Sequence, residues 1–166
     1  VVAEVSPAGE ITTLGTAPKT ARLGPVVLKR GQVMVAVSSG DGPTELVNLP
    51  ASQSLPADRA APDILSQPAV VKFSRGDQVA SALVFDNNLW VSNHIASETI
   101  FASVVNGGTG SLVRVIPNDT GALPELVQFA TGLSNPLGMA VDLDGSLYVA
   151  DSGHGRVIKI TMPASE

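Results

Sequence analysis

His94 and His154 are the side chains in this sequence best equipped for chemistry, because an imidazole can ligate a metal, carry a proton or bind a sugar hydroxyl. Metal ligation needs about three converging ligands, and Asn93, Asn106 or Asp151 could complete such a set. The plain alternative is that both histidines are polar loop residues. Asp151 and Arg156 stand five positions apart. Asp142 and Asp144 resemble half of a calcium loop, but that pattern needs further oxygen ligands and a distal Glu, and here Leu147 and Tyr148 follow. A hairpin turn suits them better.

Whole classes of chemistry drop out. The chain has no cysteine, which removes disulfides, thiol nucleophiles and thiolate metal sites together. No nucleophile elbow, phosphate loop, paired-histidine zinc helix or dinucleotide fingerprint occurs. A net charge of −5 and a pI near 4.9 argue against a nucleic-acid partner, which would need a basic stripe. No apolar stretch approaches the roughly 20 residues of a membrane-spanning helix. With charged residues at only 15 %, the loops must be built from small residues, and 16 Gly and 12 Pro punctuate the chain as an all-β domain requires.

The elements that must hold these residues show as a repeat. Residues 132–160 read as three short strands: apolar runs at 137–141 and 147–150 around a turn at 142–145, then Val157, Ile158 and Ile160. Weaker copies occur at 25–49 and 82–116. Second strands align at Val33, Leu89 and Leu147, at intervals of roughly 57 residues. Third strands align at Val47 and Leu49, Val113 and Val115, Ile158 and Ile160, each pair soon followed by a proline. A fourth strand recurs at 11–14, 70–73 and 126–129. With strands lettered a to d, the chain reads cd, abcd, abcd, abc. Strands a and b are apolar at nearly every position, which predicts burial on both faces, whereas c and d alternate. Leu89, Trp90, Val91, Leu147, Tyr148 and Val149 are the expected central core.

Sheets that are driest at their first strands suit radial blades. Residues 135–142, 144–151 and 152–157 (NPLGMAVD, DGSLYVAD and SGHGRV) resemble a β-propeller repeat of the NHL type. In place of that family's Asn-His pair before the arginine stand His154 and Gly155. The resemblance implies an all-β fold of four-stranded antiparallel β-propeller blades, about three blades' worth of a six-bladed ring. Residues 1–16 would be a partial blade, 17–75 and 76–131 blades, and 132–163 a blade without its last strand. It also implies that Asp151 and Arg156 form a structural ion pair stapling the blade, with the carboxylate accepting from loop amides.

Propellers of this type gather their b–c and d–a loops on one face. His94 in the 93–110 connection and His154 in the next b–c loop would then share a ligand-binding face with Asn93, Asn106 and Asp151. More distant similarity to quinoprotein sugar dehydrogenases and metal-dependent lactonases makes a segment of a sugar-acting enzyme the alternative, and a structural repeat building an oligomeric ring a third. With no cofactor evident and no metal site assigned, a module binding a protein or glycan comes first. The remaining blades of a longer chain, or a second copy, would complete the ring, and a secreted or periplasmic location is expected. The connection at 50–68, rich in Pro, Ala and Ser, is expected to be disordered or extended.

Overall fold

The computed structural model describes residues 1–29, 32–50, 60–85, 99–116, 123–142 and 146–161. Among these, thirteen strands pair antiparallel into four sheets, divided between two compact units, Val1–Arg75 and Gly76–Glu166.

In the first unit β1 (Val2–Val5) pairs with β2 (Ile11–Gly15), and β3 (Ala21–Lys29), β4 (Gln32–Ser39), β5 (Glu45–Leu49) and β6 (Ala69–Lys72) form a sheet in chain order. Because side chains alternate along a strand, Val35 and Val37 of β4 share a face with Val47 and Leu49 of β5. Val2, Leu14 and Ile64 close a core over that face. Met34 and Ala36, pointing the other way, are buried too. The first strand departs from the expectation of burial on both faces: Val26 and Leu28 are exposed while Val27 between them is buried. β3 is the edge of its sheet, with a pairing neighbour on one side only, and its register slips between Leu23 and Val26. Pro25 falls in that bulge, where a missing N–H costs the ladder nothing.

Within the connection before β6, the described residues 60–68 are held by specific contacts. A 3-10 helix at Ile64–Ser66 is capped by Asp63, whose Oδ1 accepts from the Leu65 amide at 3.1 Å. Ile64 is fully buried, and its amide donates to the Thr16 carbonyl at 2.7 Å. Gly15 makes this approach feasible, since a Cβ there would meet Ile64 Cγ1 at 2.7 Å.

In the second unit β7 (Gln78–Phe85), β8 (Thr99–Asn106), β9 (Thr109–Ile116) and β10 (Glu125–Ser134) form one sheet, and β11 (Pro136–Val141), β12 (Leu147–Asp151) and β13 (Arg156–Ile160) another. Strand succession is therefore cd, abcd, abcd, abc. In the middle copy the strand between β7 and β9 is β8, Thr99–Asn106; Leu89, Trp90 and Val91 lie outside the described residues. The expected long connection at 93–110 gives way to a two-residue turn, Gly107 and Gly108, with φ of +59° and +86°. Positive φ at both central residues matches the right-handed twist of the flanking strands, and glycine adopts it without strain.

The two sheets of this unit pack face to face. Leu112 and Leu133 of the first meet Leu147 and Val149 of the second, flanked by Phe129, Met139, Ile158 and Ile160. Phe101 and Phe129 add an edge-to-face pair with centroids 5.6 Å apart. β11 lies against β7 and β8, so the first strands of successive sheets are neighbours. As an outer strand β11 is largely exposed, a second departure from burial on both faces. Tyr148, expected in the core, is half-buried, its ring beneath Lys159 Nζ and its hydroxyl 3.4 Å from Asp142 Oδ2. No helix among the described residues is long and apolar enough to cross a membrane.

Candidate functional site

Alternation along β12 buries Leu147, Val149 and Asp151 and turns Tyr148 and Ala150 the other way. A carboxylate therefore occupies a position that strand geometry makes part of the core, and Asp151 is 0 % exposed. Such a group is tolerable only when its oxygens are hydrogen-bonded. Oδ1 accepts from the Ser134 amide at 2.6 Å, and Oδ2 accepts from Arg156 Nε and contacts His154 Nδ1, each at 2.8 Å. Burial alone would raise its pKa; the Ser134 amide, the bonds from His154 and Arg156 and the charge of His154 outweigh that and hold it at about 2, against an ordinary 3.8.

The backbone around the carboxylate is shaped for this clamp. Asp151 and Arg156 are directly opposed in the β12–β13 ladder, separated by a single 3-10 turn, Ser152–His154. Gly155 reverses the chain in the left-handed region, at φ +62°. Ser152 Oγ donates to the Asn135 carbonyl at 2.6 Å, pinning the turn to the β10–β11 connection. Gly153 has no room for a side chain, because a Cβ would run into Ser134 Oγ. Asn135 is the one non-glycine residue with positive φ among those described, a conformation that Asn tolerates better than most. Pro136, fully buried after it, seats against Gly110, and its carbonyl accepts from Ser103 Oγ at 3.3 Å.

Of the residues read as a shared ligand face, Asp151 and His154 are brought together, with Arg156 as third partner. Asn106 ends β8, where its Nδ2 donates to Asp77 Oδ1 at 3.0 Å. It belongs to the same end of the unit, because Thr109 across its turn pairs with Ser134. Asn93 and His94 lie outside the described residues. Asp142 closes the β11–β12 hairpin, its amide donating to the Ser146 carbonyl at 2.9 Å, at the end opposite Asp151. No group of three or more His, Cys, Asp or Glu is placed to hold a metal among the described residues.

The parts of Ser134 and Gly153 do not show in the sequence, because Ser134 acts through a backbone N–H, to which its residue type gives no clue.

What takes shape at this end is a joint between sheets: the last residue of β10 is bound by the carboxylate of the sheet that follows. Four antiparallel sheets of two to four strands, each built in chain order, are consistent with partial β-propeller blades. More narrowly, residues 133–160 match the NHL repeat, and the whole clamp from Ser134 to Arg156 falls within the match. No curated protein and no solved structure matches the chain.

Proposed function

We propose that this chain binds a polypeptide partner through the end of the second unit at which the β8–β9 turn, the 134–136 connection and the 151–156 turn meet. The observation that carries this is the fixed presentation of His154 and Arg156. Their side chains are 48 % and 54 % exposed, yet each is tethered to one fully buried carboxylate. Polar groups already immobilised lose little freedom on binding, which is how preorganised surfaces gain affinity. NHL repeats usually serve in protein binding, and polar rims around buried anchors are the ordinary anatomy of such surfaces.

The test is photo-cross-linking with a photoreactive residue introduced at Ser152, on this end, or at Asp142, on the opposite end of the same sheet. A polypeptide partner captured from Ser152 and not from Asp142 is the expected result. Equal capture from both positions, or capture from Asp142 alone, overturns the proposal.

A further inference from the structure

The hydrogen-bond arrangement around Asp151 assigns a direction to each outward-facing atom of the clamp. A carboxylate at about 2 is ionised under all ordinary conditions and can only accept. The contact of His154 Nδ1 with Oδ2 is then an N–H donation, and when the ring carries that proton alone its Nε2 is a bare acceptor. Arg156 spends its Nε on the same oxygen, and its two terminal amino groups remain as donors on a half-exposed side chain. Both residues hang from one atom, so His154 Nδ1 and Arg156 Nε lie no further apart than twice 2.8 Å. The 3-10 turn and the left-handed Gly155 lie between them.

We infer that His154 Nε2 and the terminal nitrogens of Arg156 form a paired acceptor and donor that reads a carboxamide of the polypeptide partner, Nε2 accepting its N–H and Arg156 donating to its C=O. The inference rests on the polypeptide-binding proposal and names the group recognised. Two sources present that chemistry with N–H and C=O on the same side: the primary amide of an Asn or Gln side chain, and the N–H and C=O of a single residue in an extended strand. A lone trans peptide group does not, because its N–H and C=O point apart. A carboxylate offers no N–H and would leave Nε2 facing an oxygen lone pair.

Two measurements on the full chain test this. Long-range proton–nitrogen correlation spectra at pH 8 should show the His154 proton on Nδ1; finding it on Nε2 overturns the inference. Fragment titrations followed through the His154 and Arg156 resonances supply the second. Propionamide stands for the side-chain source and N-acetylalanine methylamide for the strand source, with trans-N-methylacetamide, methyl acetate and acetate as comparisons. At least one of the first two should bind roughly tenfold more tightly than methyl acetate, which cannot donate, and whichever does so identifies the source. His154→Phe should abolish that preference, and an unaltered preference in that variant overturns the inference. Acetate or N-methylacetamide binding as well as the two amides overturns the pairing. A partner cross-linked from Ser152 in the absence of any amide preference would refute this inference alone and leave the polypeptide-binding proposal standing.

Discussion

Replacing Leu147 by Ala tests the packing of the two sheets in the second unit. Leu147 is 1 % exposed and packs with Leu112, Leu133 and Val149. The change removes three carbons, worth about 2.4 kcal/mol at roughly 0.8 kcal/mol per buried methylene. The cavity left behind adds about 1 kcal/mol if some 40 Å³ stays unfilled, at ~24 cal/mol per Å³. The expected loss is therefore about 3 kcal/mol, which a urea dependence of ~2 kcal/mol/M turns into a midpoint lowered by about 1.5 M. Val157→Ala is the matched control: it lies in the same sheet, opposite Ala150, but is 70 % exposed and should change stability by less than ~0.5 kcal/mol. Urea unfolding followed by circular dichroism, with amide exchange of β12 as a local probe, measures both. A Leu147→Ala midpoint equal to the parent's, or a Val157→Ala loss of the same size, would refute the face-to-face arrangement.

The remaining expectations concern the clamp and the turns. Stability should fall with acid as Asp151 titrates: a carboxyl at about 2 in the folded chain and 3.8 when free contributes fully above 3.8 and loses that contribution as pH drops through about 2. Asp151→Asn should flatten that part of a stability profile measured from pH 5 to 2, and an unchanged slope would contradict the clamp. Gly153→Ala forces a Cβ into Ser134 and should cost about 1–3 kcal/mol, with faster exchange of the Ser134 amide as its local signature. Gly108→Val, placing a β-branched residue at φ +86°, should destabilise by about 1–3 kcal/mol; a neutral result in thermal unfolding would argue against the two-glycine turn.

The succession of strands was legible because the third strands alternate and are soon followed by a proline. In the middle copy, β8 carries β-branched residues up to Asn106 and is followed by two glycines, a strong local hairpin signal that the repeat interval did not point to. Exposure of β3 and β11 was illegible from composition, since an apolar residue says what it can bury against and not whether it sits at the edge. Ile64 in a stretch of Pro, Ala and Ser had no periodic partner to betray it. In the clamp, the Asp151–Arg156 pair follows from the NHL resemblance, while the Ser134 amide, seventeen residues upstream, is found only in three dimensions.

Because the Ser134 N–H belongs to the closing strand of one sheet and its acceptor to the second strand of the next, the segment that duplicates and the segment that folds are out of phase. Excising residues 136–161 as a tidy three-stranded block would strip the end of β10 of its acceptor. The same block transplanted elsewhere would arrive with a buried carboxylate seeking an amide that its new neighbour need not offer. Recombination among such repeats is thus constrained at the seam more than in the strands: a graft keeps its integrity when the cut falls ahead of Leu133, so that the donor travels with the acid that holds it.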